Sequence, residues 1–135
     1  MATVQRIRGS IRPSARAFVE EAERQLERSR MANSCEESVV YSYRAALRAA
    51  GALIEWAMRK RKRRPSGSAW AKLRALDPSL GDWANRFETH ARLASRAEMG
   101  LERGLHPMVA ERLYEQACEL VDLARERTDY LPKIA

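Results

Sequence analysis

YSYRAALRAAGALIEWA, Tyr41 to Ala57, carries Tyr43, Ala46, Ala50, Leu53 and Ala57 at helical intervals, with Val39 ahead of them. That spacing is the period of an α-helix buried along one stripe. Its other faces are populated by small residues: Ala45, Ala49, Gly51 and Ala52. A helix apolar on most sides belongs at the centre of a bundle, and small side chains let its neighbours approach closely. Ser34 followed by Glu37 has the spacing of a capping box and starts this helix. At its far end the helix leads into RKRKRR, Arg59 to Arg64, and Pro65, Ser66 and Gly67 are expected to stop it.

The remaining chain supplies helices to surround it. From about Pro13 to Met31, Ala15, Phe18, Val19, Ala22 and Leu26 recur at threes and fours. A short helix after Ser68 buries Trp70, Leu73 and Leu76. Asp77 and Pro78 then read as the N-cap and first position of a longer one. That helix shows Trp83, Phe87, His90, Ala94, Ala97 and Leu101, with Gly104 as its expected C-cap. Pro107 opens the last helix, striped by Val109, Leu113, Ala117, Leu120 and Ala124. No segment alternates with period two for long enough to make a strand. The expected fold is all-α: an up-and-down bundle of four long helices and one short one. A flexible basic arm over 1–12 precedes a single domain over 13–131, which is interrupted by a basic joint at 59–67.

The 25 basic residues outnumber the 18 acidic ones, giving +7. That excess is local. Six of the cations form the joint, and Arg6, Arg8, Arg12 and Arg16 lie in an acid-free stretch before Phe18, so everything else sums to −3. Such a distribution implies anionic partners at defined places, not a uniformly basic coat. Arginine outnumbers lysine 21 to 4, which suits bidentate contacts to phosphate. Cys35 and Cys118 stand outside any metal or redox spacing and read as free thiols of a cytoplasmic protein. No apolar run approaches a membrane span, and the start MATVQRIRGS lacks the hydrophobic block of a signal peptide.

Catalytic patterns are missing: there is no Gly-rich phosphate loop, no HExxH and no GxSxG. The positions three residues before His90 and His106 hold Phe87 and Arg103, so the Glu-x-x-His of di-metal bundles is absent as well. Neither a metal nor a cofactor is expected. His106 reads as a turn residue before Pro107. His90 allows two readings. One is a half-buried core histidine with a solvent-facing Arg86. The other is an Arg86–His90 pair, base and cation, acting on a phosphodiester without metal.

The Tyr41–Ala57 helix, the arginine block, SAWAKLRALDPSLGDWANRFETHARLASRAEMGL (Ser68–Leu101) and HPMVAERLYEQACELVDLARE (His106–Glu126) together resemble a small actinobacterial family of HEPN domains. The resemblance spans about Pro13 to Arg127 and rests on a pattern of tryptophans and alanines. It implies an up-and-down bundle that usually dimerises; many such domains are metal-independent RNases or RNA-binding partners in toxin–antitoxin and defence systems. The family's catalytic motif is an arginine followed by a histidine after four to six residues. Here Arg86 and His90 enclose three, Arg103 and His106 enclose two, and His106 and Arg112 come in reversed order. The chain therefore resembles a non-catalytic branch.

Three functions follow. The first is a nucleic-acid-binding module, RNA before DNA, that grips phosphate with Arg59, Lys60, Arg61, Lys62, Arg63 and Arg64, assisted by Arg6, Arg8 and Arg12. The second is a protein-interaction module that docks an acidic partner on the same joint. The third is a divergent RNase using Arg86 and His90. The run contains no aromatic residue, and Trp56 and Trp70, which flank it, fall on apolar helical positions and read as core, so base stacking is not expected. Surplus apolar faces on the second and last helices point to a homodimer.

Overall fold

Hydroxyl caps decide where three of the helices begin. In the computed structural model, which describes residues 12–128, the Ser14, Ser34 and Ser68 side chains accept hydrogen bonds from the amides of Ala17, Glu37 and Ala71 at 3.0–3.1 Å. These open α1 (Ala15–Arg30), α2 (Cys35–Met58) and α3 (Ala69–Leu76). Each satisfies an amide that the first helical turn leaves without a partner. Glu37 completes the cap at α2, although its carboxylate takes the Asn33 amide at 2.7 Å, one residue earlier than in the standard box. A 3₁₀ turn, Pro78–Leu80, leads into α4 (Gly81–Glu98), and α5 (Pro107–Arg127) ends the bundle. Among the described residues there is no strand. The chain is all-α with four long helices and one short one. Arg6 and Arg8 of the expected arm, and residues 129–131 at the expected domain end, lie outside the described residues.

The centre of the bundle is α2. Val39, Ala45, Ala46, Ala49, Ala50 and Ala52 are fully buried, and Leu53 and Ile54 nearly so. Burial on several faces is what a central helix requires, because α1, α3, α4 and α5 all pack against it. The α1–α2 hairpin is joined by hydroxyls: Ser29 meets Ser38 at 2.9 Å and the buried Ser42 at 2.7 Å. Arg44 in the first half of α2 pairs with Glu98 at the end of α4, and Glu36 and Glu37 at the start of α2 share a groove with Ala97 and Glu98, so these helices run antiparallel. Glu36 accepts the Leu105 amide just before α5, which sets α5 parallel to α2. That bond is the main reason the Glu36 carboxyl is held below the usual glutamate range.

An aromatic stack fixes α3 and α4. Phe87 is fully buried between Trp70 and Trp83, its ring centroid 5.3 Å and 6.0 Å from theirs, and the Trp70 indole donates to the Tyr43 hydroxyl at 2.9 Å. Ring faces and a satisfied indole N–H are the favourable arrangement for aromatics in a core.

Three sequence expectations are corrected. First, α2 stops at Met58 and does not run through the basic joint to Pro65. Six adjacent cations continued as helix would meet one another at i,i+3 and i,i+4, which is unfavourable. Second, α4 ends at Met99 and Gly100, not at Gly104. Gly100 has φ +75°, its amide bonds to Ala97, and the Leu101 amide bonds to Arg96 at 2.8 Å, closing a Schellman motif. Leu101 consequently leaves the stripe and is 55 % exposed. Third, Val109 is exposed, and the buried stripe of α5 begins at Ala110.

Candidate nucleic-acid interface

The joint between α2 and α3 is a turn pinned at both ends. Arg59 caps α2, donates to the Trp56 carbonyl at 2.8 Å and lies over the Trp56 ring, its guanidinium carbon 3.5 Å from the centroid. That close stacking contributes a cation–π attraction. Arg61 reaches across to the Leu76 carbonyl at the end of α3, 3.3 Å away. Arg64 forms a 2.6 Å ion pair with Glu55, both side chains largely covered. Lys60, Lys62 and Arg63 are exposed and have no hydrogen-bond or ion-pair partner among the described residues. The six cations therefore divide into three anchors and three that point to solvent.

Below the joint, Asp77 binds Arg127 at 3.0 Å and accepts the Ser79 hydroxyl. Its carboxyl is held below the usual aspartate range by the Ser79 hydroxyl first, with Arg127 adding to it and partial burial opposing it. The end of α5 is thereby tied to the α3–α4 corner from which Arg61 takes its carbonyl. Arg12 is exposed just before α1 and lines a cavity whose wall also includes Arg64.

Trp56 was expected in the core and is not there. It is partly exposed and forms the platform under Arg59, whereas Trp70 is 2 % exposed and belongs to the aromatic stack. The sequence signal was available: Trp56 lies three residues before Arg59, the separation at which helical side chains meet. An aromatic face does adjoin the basic run.

The second candidate site is divided by the structure. Arg86 is exposed over the Trp83 ring, 4.8 Å from its centroid. His90 is half-buried, with its edge against Phe87 and its Nε2 2.7 Å from Gln116 Oε1. It lines a groove between α4 and α5 with Leu93, Met108, Val109, Arg112 and Leu113. The cation sharing that groove is Arg112, contributed by another helix; Arg86 is not part of its wall. Single-chain spacing could not have paired His90 with Arg112. His106 caps α5, its Nδ1 accepting the Met108 amide at 3.0 Å.

Comparison with known proteins places this bundle in a class. A family model matches residues 29–125, which include the end of α1, all of α2, the joint, the aromatic stack and nearly all of α5, so the chain belongs to the HEPN domains. Within that class its family is the SAV_6107-like HEPN. No curated protein and no solved structure matches the chain significantly. Among the described residues, no helix is long and apolar enough to cross a membrane.

Proposed function

We propose that this HEPN module binds nucleic acid, RNA before DNA, by meeting phosphates with Lys60, Lys62 and Arg63. The observation that supports this is the division of labour in the joint. Arg59, Arg61 and Arg64 hold the turn against the bundle, while three neighbouring cations are left exposed and without partners on a backbone already held in place. Pre-positioned charge avoids part of the ordering cost of binding. RNA is preferred because the resemblance implies it. A salt titration of affinity for a single-stranded RNA tests the reading. Three phosphate contacts give a slope of log K against log salt of about −2, and of about −3 on duplex DNA. Engagement of all six cations would roughly double those values. A slope near zero is incompatible with the proposal.

The module is also proposed to pair with a second copy. Met99, Leu101, Met108 and Val109, all 40 % exposed or more, fall between the end of α4 and the first turn of α5, and Met108 and Val109 line the His90 groove. Exposed large apolar residues in one place favour an interaction surface. Light scattering that returns a monomer mass at working concentration would exclude the pairing. Cleavage by Arg86 and His90 gains no support from the geometry, since the two do not share a cavity wall.

A further inference from the structure

The joint is continuous with a cavity that the reading of its phosphate contacts leaves unused. This space, about 310 Å³, lies between α1, α2 and the start of α3 and shares Arg64 with the joint. Its apolar wall is made by Phe18, Leu47 and Ile54, and Gly51 forms part of the same wall. A Cβ at Gly51 would fall 2.7 Å from the Phe18 ring, so the absence of a side chain there is what lets the ring lie against the α2 backbone. The rim is cationic. Arg48 and Lys72 form no close ion pair or hydrogen bond among the described residues, although Arg48 acts through space on Glu21, and the one carboxylate among the described lining residues, Glu55, is already neutralised by Arg64.

An apolar wall carrying an aromatic ring, beneath a cationic rim, matches a molecule with a flat apolar part joined to an anion. The volume is at the lower end for ligand sites, enough for a single small group. We infer that this cavity receives one nucleotide of a single strand, its base against Phe18 and Leu47 and its phosphate at Arg48 and Lys72, while the flanking phosphates lie on Lys60, Lys62 and Arg63. The inference rests on the reading of the joint as a phosphate-binding surface and adds a requirement to it. A base in a duplex is stacked and paired and cannot enter, so the cavity makes the surface selective for unpaired strands.

The test uses the full chain and fluorescence anisotropy with three labelled probes of about ten nucleotides: an oligouridylate, an abasic strand with the same phosphates, and a duplex RNA. The oligouridylate is expected to bind about tenfold more tightly than the abasic strand, the range given by one base–aromatic contact. The unaltered protein decides that comparison. Ala69, at the start of α3, also lines the cavity, so Ala69→Trp places an indole in it and should erase the difference while leaving abasic binding unchanged, with a thermal melt to verify folding. Leu47→Trp fills the same space if the first variant does not fold. Uridine monophosphate is tested alone: binding that the filling variant abolishes supports the same base-and-phosphate site and assigns it to a free nucleotide. Equal affinity of the unaltered protein for oligouridylate and abasic strands, with no binding of the mononucleotide, overturns the inference and leaves the phosphate reading standing. Failure to bind any of the strands at low salt overturns that reading as well.

Discussion

Replacing Glu55 by glutamine should weaken the fold and tighten its hold on RNA. The Glu55–Arg64 pair is 2.6 Å long, with side chains only 19 % and 23 % exposed. It lies between exposed pairs, which contribute a few tenths of a kcal/mol, and buried ones, whose disruption costs several. Its loss is therefore expected to cost about 1–2 kcal/mol, lowering Tm by about 3–8 °C for a domain of this size. The same change releases Arg64 beside Lys62 and Arg63 and removes the one carboxylate facing the cavity. One more phosphate contact would steepen the single-strand salt slope by about 0.7. Thermal melts and anisotropy titrations at several salt concentrations read the two effects separately. If Glu55→Gln leaves both the affinity and the slope unchanged, the released Arg64 does not reach phosphate, and the reading of the neighbouring cations as a phosphate-binding surface is wrong.

Three further outcomes follow from the bundle itself. Phe87→Ala empties the space between Trp70 and Trp83 and should cost about 3–5 kcal/mol, whereas Phe87→Leu should cost less than half of that; indistinguishable melts would contradict the stack. Gly100→Ala meets no neighbouring atom, yet forces alanine to φ +75°, so a loss of about 1–2 kcal/mol in chemical denaturation isolates the backbone term. Asp77→Asn should matter only away from acid. The lowered folded-state pKa of Asp77 gives stability that is complete above the ordinary aspartate range and lost as pH falls through the lowered value. The gap in Tm between the two proteins should accordingly be present at neutral pH and close on acidification, and a gap that widens in acid has the wrong sign.

The helices were legible because their signals are local. Ser34, Ser68 and Pro107 sit at starts that a hydroxyl or a fixed φ dictates, and the alanine-rich faces of Tyr41–Ala57 require neighbours on several sides. The end of α4 was misplaced because Gly100 and Gly104 both suit a left-handed cap, and the stripe continues arithmetically through Leu101. The choice was made by the Schellman bonds to Arg96 and Ala97, which are three-dimensional facts. The site was less legible. RKRKRR announced its charge, but which cations are spent as anchors depends on Glu55, Leu76 and Trp56, two of them within the preceding helix and one in the next. The cavity beside it joins Phe18, Gly51 and Lys72 from three helices, and the groove joins His90 to Arg112 from two. No spacing along one chain segment reports such meetings.

The central claim is that Lys60, Lys62 and Arg63 are the phosphate-binding charges. Substituting these three by serine leaves every anchor of the joint in place, so the melt should be unchanged. Anisotropy with single-stranded RNA at about 50 mM salt should then show a Kd weaker by about 500-fold, the electrostatic contribution of three phosphate contacts at that ionic strength. An unchanged Kd in a correctly folded triple variant would contradict the account.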